Sequence, residues 1–183
     1  LAQVLCAWRE IASSDDAILR PRVGNLEWRR DAGEDWHPLE LRLHVTCGGE
    51  TCAAESGYLA RSRFDATSSD WHPPPIADLE QLQLAATADS HNHRHRIHFG
   101  ADELQQIGGV AADAIRSLGP LPLAGVDVAL TWGISAVEAS VLDVNPRPAG
   151  LMRANLLADS GAAGIGRGLW RYLSDRIDRA GPK

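Results

Sequence analysis

Lysine and methionine are almost missing from this chain of 183 residues. The only Lys is Lys183 and every other one of the 18 basic residues is Arg. No internal ammonium therefore exists for a Walker-type phosphate loop or a Schiff base. Met152 is the only Met, so a chain opening on Leu1 is expected to be trimmed or cut from something longer. Cysteine is scarce as well. Cys6, Cys47 and Cys52 are too few for a secreted disulfide framework, although Cys47 and Cys52 could lie close across a hairpin, and a reducing cytoplasm is the expected setting. No apolar run approaches the roughly 18 residues of a membrane span, and the N-terminus lacks the basic segment and apolar core of a signal peptide. No membrane partner is expected. Positive charge is in deficit too: 18 basic against 24 acidic residues give a formal net charge of -6, which argues against a nucleic-acid partner.

What is present is enough for a single core. At 44% hydrophobic content, a chain of this length can bury roughly 70% of the surface its unfolded form exposes. Leu1 to Ala12 shows helical spacing, and Ala17 to Val23 reads as a strand bent or edged by Pro21. Gly24 to Asp35 reads as a polar connection. The clearest element is a hairpin over Pro38 to Ala60: Leu39, Leu41, Leu43, Val45 and Cys47 alternate with Glu40, Arg42, His44 and Thr46, and Gly48-Gly49 supplies the turn. Period two places Glu40, Arg42 and His44 on one face. Ile76 to Thr87 has helical character, and Asp89 to Arg96 is polar and rich in His. Asp102 to Leu118 carries a helical apolar stripe stopped by Gly119-Pro120. Gly125 to Trp132 and Ala136 to Asn145 read as two buried strands. Leu151 to Arg179 is mostly helical, with a break expected around Gly161 to Gly168. The fold class expected is α+β, an antiparallel β-sheet with flanking helices.

The sharpest chemical signal is the run Val141-Leu142-Asp143-Val144-Asn145-Pro146-Arg147-Pro148. An apolar strand delivers an acid and, two residues on, an amide on the same face, before the prolines turn the backbone away. A second carboxylate, Asp127, sits in another apolar strand, where an unpaired charge is costly. Hard oxygen donors converging from two strands suit Mg, which keeps water and bridges to phosphates.

These pieces resemble the C-terminal part of the ATP-grasp superfamily. The match runs through the hinge-like Ile18 to Val23, Glu40-Leu41-Arg42 in the hairpin, the helix from Asp102, Gly125-Val126-Asp127, and Asp143-Val144-Asn145-Pro146-Arg147-Pro148. The resemblance implies a partial ATP-grasp-like domain over residues 1–183, without the N-terminal segment that grips the nucleotide. It also implies an ATP- and Mg-dependent ligase, active only together with that missing segment, that activates a small-molecule carboxylate as an acyl phosphate for attack by an amine or other nucleophile. Asp127, Asp143 and Asn145 would hold the metal, Glu40 and Arg42 would meet the ATP cofactor, and Arg42 and Arg147 would act on the transferring phosphoryl group, where a planar guanidinium suits oxyanions. The alternative is a non-catalytic nucleotide- or metal-binding module.

Simpler readings stand beside these. Asn145-Pro146 can merely end a strand, and Glu40, Arg42 and His44 can form an exposed sheet surface. His91, His93 and His95, with His98 nearby, make a candidate transition-metal site, for which a solvated loop is the favoured reading. Trp170 and Tyr172 are expected in the core or at an interface.

Overall fold

The structure, a computed structural model, describes residues 23–49, 51–60, 74–87, 94–119, 121–133, 136–148 and 159–180. The fold is α+β, with two antiparallel four-stranded sheets. Strands β1 (Leu26–Arg29), β2 (His37–Pro38), β5 (Gln83–Thr87) and β6 (Arg94–Ile97) form the smaller sheet in the order β2-β1-β5-β6. Strands β3 (Glu40–Gly48), β4 (Thr51–Ala60), β7 (Leu123–Trp132) and β8 (Val137–Asn145) form the larger in the order β4-β3-β7-β8. Helices α1 (Ala101–Leu118) and α2 (Asp159–Ala180) complete the described fold, with a 3-10 helix at Ile76–Gln81.

Alternation in β3 and β7 decides how the large sheet is used. Leu41, Leu43 and Val45 pair with Val128, Val126 and Ala124, and all six are buried. They belong to one core with Ile107, Ala111 and Ile115 of α1 and with Leu26, Trp28, Leu84, Ala86 and Ile97 of the small sheet. Asn25 ties the two sheets together: its Oδ1 accepts from the Trp132 N–H at 2.7 Å, and the Thr87 N–H donates to its backbone carbonyl at 2.8 Å. The opposite, polar face carries α2, seated over Thr46, Gly48 and Glu55. Glycines make this approach possible. A Cβ at Gly164 would lie 2.8 Å from Glu55 Oε2, one at Gly48 would lie 2.7 Å from the Tyr172 backbone nitrogen, and one at Gly168 would run into Thr46.

The hairpin, the helix from Asp102 and the last two strands form where their patterns predict, but β8, expected to be buried, is the edge strand of its sheet and leaves Val141, Leu142 and Asp143 exposed. Four further expectations are corrected. Gly24 to Asp35 is not all connection, because Leu26, Glu27 and Trp28 are buried in β1. Ile76 to Thr87 is no α-helix; the 3-10 helix over Ile76–Gln81 gives way to β5, whose Leu84, Ala85 and Ala86 are all buried between neighbouring strands. Part of the His-rich stretch is strand β6 instead of loop. The helix after Asp159 does not break at its glycines, which are the residues that let it lie against the sheet. The expected helix over Leu1 to Ala12 and all but the end of the strand over Ala17 to Val23 lie outside the described residues.

Candidate functional site

The polar face of the large sheet gathers most of the residues singled out from the sequence. Arg42 on β3 is paired in register with Asp127 on β7, and Asp127 with Asp143 on β8. Tyr58 on β4 completes the row across all four strands. The next row on the same face runs Ser56, His44, Gly125, Asn145.

Two bulges create this arrangement. Between Asp127 and Val128 the register of β8 jumps from Asp143 to Val141, leaving Leu142 unpaired. Continued unbroken from Val128 and Val141, the pairing would put Leu142 opposite Asp127 and turn Asp143 to the other face. Likewise Glu55 is passed over between His44 and Val45, which brings Tyr58 opposite Arg42 where Gly57 would otherwise fall. Glu55 instead accepts hydrogen bonds from Thr46 Oγ1 at 3.0 Å and from Arg171 of α2 at 2.7 Å.

Arg42 grips Asp127 with two parallel hydrogen bonds, Nε to Oδ1 and Nη2 to Oδ2, each 2.5 Å, and the two side chains are 21% and 20% exposed. The bond to Asp127 pushes the Arg42 pKa up further still, against the opposing effect of burial, so the guanidinium is permanently charged. The carboxylate expected to be costly in an apolar strand is thus neutralised by its cross-strand neighbour. Asp143 is exposed and Asn145 half-buried. Asn145 Oδ1 accepts the Arg147 backbone N–H at 2.8 Å, closing an Asx turn where the strand ends. The chain then folds back over this face: a Cβ on Gly125 would stand 2.8 Å from the Cβ of Pro148 and 3.8 Å from Arg42 Cδ. Arg147 is exposed, and Glu40 is half-buried at the start of β3.

The surface expected at Glu40, Arg42 and His44 is not an open one. His44 is fully buried, its Nδ1 is 2.9 Å from Ser56 Oγ, its ring is 5.8 Å from that of Tyr58, and Nε2 has no hydrogen-bond partner among the described residues. Burial, and then the charge of Arg42, lower its pKa, so the imidazole is neutral at pH 7. Sequence reasoning missed Ser56 and Tyr58 on this face, because strict alternation from the turn places their neighbours there.

The donor chemistry suits a hard divalent cation. Each Asp127 oxygen spends one lone pair on Arg42 and keeps another, as does Asn145 Oδ1 on its turn. Two carboxylates against one guanidinium leave the row one negative charge in excess. Two carboxylates and an amide match the sparse protein ligation that Mg accepts when water and phosphate fill the rest. Among the described residues, no group of three or more His, Cys, Asp or Glu side chains is placed to hold a metal. His95 and His98 are exposed on and after β6, and His91 and His93 lie outside the described residues.

Cys47 and Cys52, cross-strand neighbours beside the hairpin turn, form a disulfide. No described helix is long and apolar enough to cross a membrane. Trp170 stands on the surface at 68% exposure, outside the core. The chain matches no family model, and neither the curated proteins nor the solved structures contain a match to it.

Proposed function

We propose that this chain is the metal- and phosphate-facing part of an ATP-grasp-type ligase, which activates a small-molecule carboxylate by phosphoryl transfer for attack by an amine or other nucleophile. The observation carrying this reading is the row Arg42, Asp127, Asp143 on three adjacent strands, with Asn145 one row away on the same face. Two carboxylates directly opposite one another repel unless a cation lies between or beside them. Arg42 supplies one positive charge, and a divalent ion on Asp127, Asp143 and Asn145 would supply the rest. Bound there with ATP, Mg would neutralise phosphate charge as phosphoryl transfer proceeds.

The chain's own residues have defined tasks in this scheme. Asp127 is held in one rotamer by two hydrogen bonds, so its free lone pairs have a fixed direction. Arg42 has three further N–H donors, some of them available to phosphate oxygens or Tyr58. Arg147, exposed in the Asx turn next to Asn145, would meet the transferring phosphoryl group as a planar oxyanion donor. Glu40 lies at the β3 end of the same face, where it would meet the nucleotide. A cytoplasmic setting, expected for a ligase consuming ATP, would leave the Cys47–Cys52 bridge open to reduction.

Mn2+ titration of the chain followed by electron paramagnetic resonance tests the site. Wild type is expected to bind Mn2+, Mg2+ to compete, and Asp143→Asn to weaken binding by roughly ten-fold or more, the effect of removing a charged ligand. Asp143 is exposed, so circular dichroism should not change. Equal Mn2+ affinity in the two proteins would refute the metal site. The two-pronged grip of Arg42 on Asp127 favours one other reading, a non-catalytic metal-binding module; Mn2+ binding that gains nothing from added inorganic triphosphate would select it.

A further inference from the structure

Helix α2 turns one face to the sheet through Gly164, Ile165 and Gly168, and on its other side exposes a continuous apolar stripe. Trp170, Leu173 and Ile177 are 68%, 51% and 67% exposed, and their spacing of three and four residues aligns them along the helix. One flank of this stripe carries Arg167 and Asp178, roughly three turns apart and both exposed. Neither is paired within the described residues, whereas Arg171 binds Glu55 and Arg176 binds Tyr172.

We propose that the chain associates with a second copy of itself through this stripe, the two α2 helices packing antiparallel about a two-fold axis that passes between Tyr172 and Leu173. Charge complementarity selects this partner and this orientation. About that axis, Arg167 lies level with the second copy's Asp178, and Asp178 level with its Arg167, so two equivalent ion pairs close. The same axis sets the second copy's Trp170, Leu173 and Ile177 level with Asp175, Tyr172 and Gly168. They therefore fall between this copy's own stripe residues instead of colliding with them. A parallel pairing would set Arg167 level with Arg167 and Asp178 level with Asp178. Three apolar side chains and two rim pairs fall short of the roughly 800 Å2 per partner of a tight complex, so the dimer is reversible and forms with rising concentration. The proposal does not depend on the ligase reading.

Sedimentation equilibrium of the whole chain over roughly 1 µM to 1 mM is expected to show a monomer–dimer equilibrium. Leu173→Glu should leave a monomer with unchanged circular dichroism, since the side chain is exposed. Arg167→Asp alone should weaken association roughly ten-fold, through two lost and now repulsive pairs. Asp178→Arg alone should do the same, and the double charge swap should return the affinity to within about two-fold of wild type. A monomer throughout the range, a dimer insensitive to Arg167→Asp, or failure of the swap to restore association would each overturn the proposal. A monomer whose Trp170 is nevertheless shielded from quenchers would assign the stripe to another covering segment or protein, and would overturn it equally.

Discussion

Removing the charge of Asp127 is the most direct perturbation of the polar row. The pair it forms with Arg42 is bidentate at 2.5 Å, with each side chain about one-fifth exposed. Breaking a fully buried pair costs about 3–5 kcal/mol, and an exposed pair contributes about 0–1 kcal/mol. At this exposure Asp127→Asn should cost about 2 kcal/mol, or a fall in Tm of about 4–8 °C for a domain of this size. Arg42→Met should cost more, about 3 kcal/mol, because it leaves Asp127 facing Asp143 with no counter-charge. In the double variant Arg42→Met/Asp127→Asn the loss should be smaller than the sum by about 1–2 kcal/mol. In chelator-treated buffer Asp143→Asn should do the opposite and stabilise by about 0.2–1 kcal/mol, through relief of the carboxylate pair. Urea unfolding followed through Trp fluorescence measures all four, Trp28 being 3% exposed in the core. Effects of Arg42→Met and Asp127→Asn that add to within about 0.5 kcal/mol would show that the two side chains are not coupled. A destabilised Asp143→Asn would show that the two carboxylates do not repel.

The buried imidazole and the disulfide give two further expectations. His44 has a lower pKa folded than unfolded, so the unfolded chain takes up its proton first as pH falls. The stability it contributes is complete above about pH 6.5 and declines below it by up to about 1.4 kcal/mol per pH unit until the folded value is reached. Urea midpoints at pH 7.5 and 5.5, read with the His44 resonance by NMR, check this; a His44 midpoint at or above the ordinary value would refute it. The Cys47–Cys52 bridge spans a sequence separation of 5, and closing so short a loop restricts the unfolded chain by about 2 kcal/mol. Reduction should lower Tm by about 4–8 °C in calorimetry. An unchanged transition would show that the bridge adds nothing to stability.

Local pattern was sufficient for much of this protein. Alternation in Leu39 to Cys47 marked both the strand and its buried face, the Gly48-Gly49 turn its reversal, and the stripe from Leu104 to Leu118 a helix with one apolar side. The spacing of Asp143 and Asn145 put both on one face of a strand, since period two holds over two residues whatever surrounds them. Composition misled where tertiary burial outweighed it. Gln83 to Thr87 reads as helical but pairs on both sides as β5, and the glycines of α2 read as a break although close packing on Thr46 and Gly48 keeps the helix whole.

Only the assembled sheet decided what the polar residues do. Which residue faces Arg42 depends on the bulge at Glu55, and whether Asp127 and Asp143 share a face depends on the bulge at Leu142. A shift of one residue reverses the side on which every later side chain emerges, and nothing in the strand's own composition announces that shift. Fixation of Asp127 by Arg42 and burial of a neutral His44 follow from the same registers. They join residues 85 apart in sequence in one case and set the ring beside Ser56 and Tyr58 in the other, relations that exist only once the chain has folded.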